Sequence, residues 1–175
     1  MSIDSPMNGI KCLCNDNVII TINEYIVNYL TTLKNVYNDV TDCDLIPLPK
    51  INSNVLKTII QYCEQRHFMN PELFKLEMTM LPTNVKEFAD HCDNHPETNQ
   101  FDNSFFKKND EIILDILLAS DYLNNNSLLL RASRYVANTM KMMAPEDVQK
   151  KFGIEQDMTD EEIIKIKKQN EWAIK

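Results

Sequence analysis

The sequence predicts a mixed fold in which a few short strands precede many helices, and three observations support it. Two β-prone runs, Ile10–Cys14 and Val18–Ile22, flank a turn of Asn and Asp residues, which is the pattern of a β-hairpin. The run 112–119 is apolar except at Asp115, so as a helix it should be buried centrally. Apolar residues at helical spacing between 128 and 143 lie beside a narrow polar stripe and predict another helix.

The N-terminal part offers further elements in chain order. Asn23 can cap a helix, after which the apolar spacing suggests a second short helix. The segment Leu45–Pro49 contains two prolines, which permit only an edge strand or a strand end. Asn52 or Ser53 can then cap an amphipathic helix.

Residues 67–102 have a different character from the segments on either side. They contain three prolines, mixed polarity and no sustained period, although short helices around Glu72–Met78 and Val85–His91 are compatible with them. We interpret the segment as an insertion between two parts of the core that is partly ordered at best. Because long loops add little closure entropy, deletion of roughly residues 70–100 should leave a folded protein.

The last third of the chain carries clear helix start signals. Ser127 can cap a helix with one polar stripe. The other faces of this helix are apolar, so one should pack on the core and another on a further helix of the chain or on a partner. The stripe consists of Arg131, Arg134, Asn138 and Lys141. Pro145 suits a first helical position, although Ala144 before it is a poor cap. Thr159 and Glu162 have the spacing of a capping box for a last helix.

Composition limits the classes of function. A length of 175 residues fits one domain, alone or with an extension. The two glycines lie outside any phosphate-binding motif, and a formal charge of −8 argues against nucleic acid as a partner. No signal peptide or membrane-spanning run is visible, and five cysteines without framework spacing suit a reducing compartment. We therefore expect a soluble intracellular protein without a membrane partner.

Five side chains could form a reactive site: Cys63, His67, His91, Cys92 and His95. Their types suit zinc, but the spacing His-Cys-x-x-His is not a common zinc motif. A Cys–His nucleophilic pair also stays open, although no glycine turn accompanies any cysteine. We expect no enzyme activity, no bound metal and no cofactor, and we keep a metal-dependent or thiol enzyme as the alternative from a different class.

Several segments, in order along the chain, carry a family resemblance. They are Ile46–Asn52 with Val55–Cys63, Phe105, Leu117–Leu123, Tyr135–Asn138, Pro145–Ile154, Asp157, Thr159–Glu162 and Gln169–Trp172. Together they resemble the Skp1 family from about Ile10 to Trp172, and the resemblance fails in 67–102. Several motifs in the same order make this resemblance specific.

The resemblance implies a BTB/POZ-type α+β fold, a small sheet with helices, followed by a helical C-terminal extension. It divides the chain into a BTB/POZ-like domain of residues 9–126, with the insertion 67–102, and C-terminal dimerisation and F-box-binding helices of residues 127–175. It also implies an adaptor of an SCF-type ubiquitin ligase that bridges an F-box protein to a cullin for protein degradation, in the cytoplasm and nucleus. A weak homodimer is left open.

The resemblance further places two binding surfaces. Asp121 and Tyr122 would lie at the cullin surface. Residues at or near the F-box surface would be Leu129, Val136, Ala137, Met140, Phe152, Ile154 and Trp172.

Two departures from the family pattern bear on these surfaces. Asp121 replaces the usual asparagine, and Met142–Ala144 replaces Gly-Lys-Thr. Because an unpaired charge is costly to bury, Asp121→Asn should tighten cullin binding or leave it unchanged. The alternatives are an elongin C-like adaptor, or a divergent or viral Skp1-like adaptor that binds F-box proteins without productive cullin binding.

Overall fold

Three short strands form one sheet in the computed structural model, which describes residues 9–39, 45–80, 85–155 and 158–170. They are β1 (Ile10–Cys14), β2 (Ile19–Ile22) and β3 (Ile46–Leu48). The strand order is β2-β1-β3, with β1 antiparallel to β2 and parallel to β3. The sheet therefore combines a local hairpin with one strand that returns from farther along the chain.

The predicted hairpin and edge strand are both confirmed. Asn17 in the hairpin turn has a φ of 62°, a left-handed conformation that asparagine adopts more readily than most residues. Cys12 and Cys14 are buried and behave as small apolar strand residues, as predicted. Pro47 lies in the edge strand β3, where a missing backbone N–H leaves no central ladder bond unmade.

Ten α-helices account for most of the described residues. They are α1 (Glu24–Val27), α2 (Thr31–Asp39), α3 (Ser53–Met69), α4 (Pro71–Met78), α5 (Val85–Asp93), α6 (Pro96–Lys108), α7 (Ile113–Tyr122), α8 (Asn126–Lys141), α9 (Pro145–Phe152) and α10 (Asp160–Gln169). A 3-10 turn, Asp110–Ile112, precedes α7. Among these described helices, none combines the length and apolar character needed to cross a membrane.

The core lies where α3 packs against the sheet and α7. Ile22 of β2, Leu56 and Ile59 of α3 and Ile116 of α7 are all fully buried in it. Each such side chain stabilises the fold by roughly 1.5–3 kcal/mol relative to an exposed position. Asn52 caps α3, since its side chain accepts a hydrogen bond from the backbone N–H of Asn54 at 2.9 Å.

The expectation that residues 67–102 are partly ordered at best is wrong for the part that the structure describes. The two predicted short helices are present as α4 and α5, and α6, which was not predicted, follows them. Pro71 and Pro96 occupy first helical positions, so these prolines start helices instead of interrupting them. Phe74 and Cys92 are fully buried. The segment therefore belongs to the packed structure.

The chain divides into two compact units, with the described residues through Val136 in the first and those from Ala137 onward in the second. All of the buried residues in the described ranges belong to the first unit. In the second unit, each described side chain is exposed or only partly covered.

The helices of the second unit show the start signals that their sequence predicts, and a glycine ends the first of them. Pro145 begins α9 after Ala144, which makes no side-chain cap bond. Gly153 ends α9 with a φ of 62°, the left-handed conformation that glycine adopts without strain. Thr159 and Glu162 form the predicted capping box at the start of α10.

Candidate interaction surfaces

One face of α7 is exposed, contrary to the expectation that this helix is buried on nearly every side. Ile113, Ile116, Ala119 and Ser120 are buried. The opposite side presents Leu114 and Leu118, which are 42% and 71% exposed, together with Asp121. We call Leu114, Leu118, Asp121 and Tyr122 the α7 face. Spacings of four and three residues place the two leucines and Asp121 on one side of the helix.

Tyr122 is fixed at the end of α7 by contacts on two sides. Its backbone carbonyl accepts a hydrogen bond from Thr32 Oγ1 at 2.9 Å. The Lys50 ammonium lies 5.9 Å from its ring centroid, within cation–π range. The predicted cullin-binding pair therefore combines an exposed carboxylate, Asp121, with a half-buried and positioned ring.

A buried set of charged side chains joins α8 to the helices of residues 67–102. This set, here called the Glu77 cluster, consists of Arg66, Glu77, Asp102 and Arg131, each 5% exposed or less. Arg66 Nη2 lies 2.6 Å from Glu77 Oε2, and Arg131 Nε lies 3.0 Å from the same oxygen. Arg131 also donates to Glu77 Oε1 and to Asp102 Oδ2. Two positive and two negative charges thus balance one another inside the fold.

Burial and ion pairing act in opposite directions on the two carboxyl groups of the cluster. Burial opposes ionisation of Glu77, but hydrogen bonds and charge from Arg131, with the charge of Arg66, outweigh it and lower its pKa to about 2. For Asp102, burial raises the pKa despite the neighbouring arginines. Glu77 is therefore the ionised centre of the cluster at neutral pH.

The cluster also sets the start of α8, where one sequence prediction is wrong. Ser127 does not cap this helix, because its hydroxyl donates to Glu77 Oε2 at 2.7 Å. Asn125 takes the capping role, and its Oδ1 accepts from the backbone N–H of Leu128 at 2.9 Å. The first turn of α8 is thus stabilised by the Asn125 cap and by the buried hydrogen bond between Ser127 and Glu77.

Sequence reasoning did not find the Glu77 cluster, although one signal was present. Glu77 follows the buried Leu73 and Phe74 at spacings of four and three, so a carboxylate stands on the apolar side of α4. Arg131 has the same character in α8, between the buried Leu128 and Ala132. Charges at such positions are rarely buried unless paired, but the partner of each cannot be read from spacing.

The predicted F-box residues are distributed over both units. In the first unit, Leu129 and Val136 are half-buried, and Val136 packs against the core. In the second unit, Ala137 is exposed, Met140 is 39% exposed, Phe152 is half-buried and Ile154 is 52% exposed. Trp172 lies outside the described residues.

In its described part, the second unit exposes large apolar side chains at the predicted Met140 and Ile154 and at four further positions. They are Met140, Met142, Ile154, Met158, Ile164 and Ile166, and we call them the C-terminal apolar residues. Met142 is 89% exposed and Ile164 is 65% exposed. Apolar side chains left uncovered in such number mark interaction surfaces in soluble proteins.

The cysteine and histidine candidates do not come together as a reactive site. Burial raises the pKa of Cys63 to about 12 and outweighs the hydrogen bond that Asn125 donates to its sulfur, so the thiol stays protonated and unreactive. His67 instead contacts the Tyr29 hydroxyl, and His91 lies 3.3 Å from Glu77 Oε1. His91 and His95 are neighbours, yet the described residues contain no group of three side chains able to hold a metal ion.

Comparison with known families gives two matches along the chain. Residues 8–68 match the model described as "Skp1 family, tetramerisation domain", and residues 126–173 match "Skp1 family, dimerisation domain". The first match, with the three-stranded sheet and its helices, confirms the BTB/POZ-type α+β fold with a helical C-terminal part. The exact boundaries 9–126 and 127–175 stay a prediction.

Individual relatives match over nearly the whole length. "Suppressor of kinetochore protein 1" of Schizosaccharomyces pombe is 33% identical over 168 residues, which cover 95% of this chain and 98% of the relative. "E3 ubiquitin ligase complex SCF subunit sconC" of Arthroderma benhamiae is 31% identical, with 95% of each chain covered. "S-phase kinase-associated protein 1 homolog" of Tetrahymena thermophila is 31% identical, with 98% and 97% covered.

Proposed function

Because the chain belongs to the Skp1 family, we propose that it is the adaptor subunit of an SCF-type cullin-RING ubiquitin ligase. In this role it bridges an F-box protein to a cullin, so that a bound substrate is ubiquitinated and degraded. The observation that carries the proposal is that each unit exposes an apolar surface of its own. A subunit that bridges two partners needs two such surfaces, and burial of their side chains supplies the main driving force for association.

The α7 face is the proposed cullin surface. Leu114 and Leu118 provide the apolar contact, and Tyr122 is already positioned beside them. A central apolar pair with a polar edge is the usual anatomy of a protein interface. Asp121 lies on that edge, so its charge would affect association rate and partner choice more than the strength of the apolar contact.

The C-terminal apolar residues, with Ala137 and Phe152, support the proposed F-box surface. A helix pair that leaves methionine and isoleucine side chains uncovered can bury them against the apolar face of another helix. Methionine suits such a surface because its unbranched side chain adapts to the partner. Leu129 and Val136 of the first unit, and Trp172, are further F-box contacts that the resemblance to the Skp1 family implies.

The proposed role is non-catalytic and is exercised in the cytoplasm and nucleus. Relatives that match over more than nine tenths of the chain are named as subunits of an SCF ubiquitin ligase complex. The protonated thiol of Cys63 and the absence of a metal-binding group in the described ranges give the enzyme alternative no support.

The test is assembly of the three proteins in solution. The full chain, an F-box domain and the N-terminal domain of a cullin, taken from the same organism, should form a 1:1:1 complex in size-exclusion chromatography. Leu118→Asp should remove cullin binding and leave F-box binding unchanged, and Met142→Asp should do the reverse. Lys107→Asp, on the exposed side of α6, is the matched control and should affect neither.

The outcomes separate the alternatives. F-box binding without cullin binding would favour the divergent adaptor, and binding of neither partner would overturn the proposal. In the same assay, Asp121→Asn is expected to tighten cullin binding or leave it unchanged. A clear loss of affinity would mean that Asp121 meets a basic residue of the cullin, and that its charge is part of the interface.

A further inference from the structure

A cavity of about 600 Å³ lies in the first unit, between the end of α1, the start of α2, the end of α3 and the end of α4. The side chains that matter for its chemistry are Tyr25, Tyr29, Lys34, His67, Lys75 and Met78. Its volume falls within the range of about 300–1,000 Å³ that small-molecule sites occupy. The residues that line this cavity include none of the α7 face and none of the C-terminal apolar residues.

The lining of the cavity includes a positioned histidine, His67. The Tyr29 hydroxyl and His67 Nδ1 lie 2.7 Å apart, and Tyr29 itself is buried. Burial raises the pKa of Tyr29, so its hydroxyl keeps its proton and can donate this bond. When it does, neutral His67 carries its own proton on Nε2, which provides an N–H donor on a side chain that lines the cavity.

The charged side chains that line the cavity are both cations. Lys34 comes from α2 and Lys75 from α4, and no carboxylate is among the described lining residues. The lining itself thus carries two positive charges on a chain with a formal charge of −8, and Glu72 beside it offsets one of them. Lys75 pairs with Glu72 at 3.0 Å, but both side chains are largely exposed, so this pair is weak and can yield to a ligand.

The remaining wall combines an aromatic ring and a thioether, which suit a flat group, with the polar side chains of Asn28 and Thr79. The Tyr25 ring lies with its centroid 5.2 Å from that of His67, and Met78 lines the same cavity. Aromatic rings and thioether sulfur make favourable contacts with a planar ligand. Two cations and two aromatic side chains in one lining together favour a ligand with an anionic end and an aromatic body.

We propose that this cavity binds a small organic anion with an aromatic body, of the aryl phosphate class. Lys34 and Lys75 hold the anionic group, His67 donates a hydrogen bond, and Tyr25 and Met78 contact the ring. Lys75 and Met78 belong to the segment 67–102, where the resemblance to the Skp1 family fails, so the site is a feature of this chain's own segment. The inference does not depend on the adaptor role.

Phenyl phosphate is the probe. Its binding to the full-length chain is measured by two-dimensional NMR. Saturable shifts should appear at Tyr25, Tyr29 and His67, with a dissociation constant on the order of 1 mM for a ligand of this size. Inorganic phosphate, which lacks the ring, and phenol, which lacks the charge, should each bind at least about threefold more weakly.

The variant Lys34→Gln/Lys75→Gln removes both cations from exposed positions, so it should fold normally. It should weaken phenyl phosphate binding by at least about threefold. Lys107→Gln/Lys108→Gln on α6 changes the net charge equally, away from the cavity, and should leave binding unchanged. Absence of saturable shifts, equal binding of inorganic phosphate or phenol, or equal weakening in both double variants would overturn the proposal.

Discussion

The two units of this chain differ in what holds their helices in place. In the first, α3 and α7 pack around an apolar core, and the Glu77 cluster ties α4, α6 and α8 together. In the second, no described side chain is buried, and α9 and α10 rely on their own end signals. Helix ends contribute about 1 kcal/mol each, whereas tertiary burial contributes several times more. The second unit is therefore suited to gain its packing from a partner.

The largest effect should come from removing the helices that the sequence suggested were dispensable. Deletion of residues 70–100 takes away Glu77 and leaves Arg66 and Arg131 buried without their shared carboxylate. It also removes the fully buried Phe74. The deletion variant should lack a cooperative unfolding transition by circular dichroism. A cooperative transition with a midpoint near that of the intact chain would mean that the segment is an insertion that does not stabilise the fold.

A single substitution should reproduce much of that effect. Glu77→Ala strands two arginines in the interior, and breaking a buried ion pair in this way costs about 3–5 kcal/mol. Glu72→Ala, five residues earlier on the exposed side of α4, is the control and should cost less than about 1 kcal/mol. Urea unfolding measures both, and similar midpoints in the two variants would show that the cluster does not stabilise the first unit.

Acid should weaken the first unit through Glu77 in particular. The folded-state pKa of Glu77 is lowered from 4.5 to about 2, so its contribution is present above pH 4.5 and is lost as pH falls towards 2. Between pH 6 and pH 3 the free energy of unfolding should fall by about 2 kcal/mol through Glu77. The raised pKa of Asp102 acts with the opposite sign, because acid favours the folded form at that group.

The measurement is the free energy of unfolding from urea titrations at several pH values. Glu77→Gln, which cannot ionise at this position, should show a shallower loss of stability in acid than the unsubstituted chain. Glu72→Gln should follow the unsubstituted chain. If the free energy of unfolding fell equally with pH in all three proteins, Glu77 would not be the cause of the loss of stability in acid.

Substitution in the second unit should separate binding from folding. Trp172→Ala should weaken F-box binding by at least tenfold, which is about 1.4 kcal/mol, and leave the melting temperature of the free chain nearly unchanged. Calorimetry with a purified F-box domain measures the first effect, and thermal unfolding measures the second. A lower melting temperature with unchanged affinity would give Trp172 a packing role instead.

The smallest expected effect concerns a helix end. Thr159→Ala removes the capping box of α10 and should cost about 1 kcal/mol of local helix stability. Amide hydrogen exchange should become faster in α10 alone, while exchange in α3 stays unchanged. Equally faster amide exchange in α3 would mean that the second unit unfolds together with the first. The two units would then not differ in what stabilises their helices.

The local elements could be predicted well because their signals lie within a few residues of each other. The hairpin, the edge position of Pro47, the Asn52 cap, the start of α9 and the capping box of α10 are all confirmed. Family motifs in the same order also led to the BTB/POZ-type fold. None of these inferences required knowing which helix packs against which.

Tertiary packing decided which face of a helix is buried, and the sequence predictions of buried faces were wrong for α7 and for part of α8. The apolar run of α7 predicts burial all round, yet Leu118 is 71% exposed because the core covers only one side of the helix. The reverse holds for Arg131, which belongs to the polar stripe of α8 but is buried. The partners of its charge, Glu77 and Asp102, are 54 and 29 residues away.

The sequence by itself therefore determined the strands, the starts of α3, α9 and α10 and the family, since each rests on spacing along the chain. The tertiary structure alone decided that Glu77 and Arg131 are buried together, that 67–102 is part of the packed unit and that α7 keeps an exposed face. The physical reason is that burial of a charge is tolerable only beside its counter-charge. Residues far apart in sequence supply that counter-charge, and only the fold brings them within hydrogen-bonding distance.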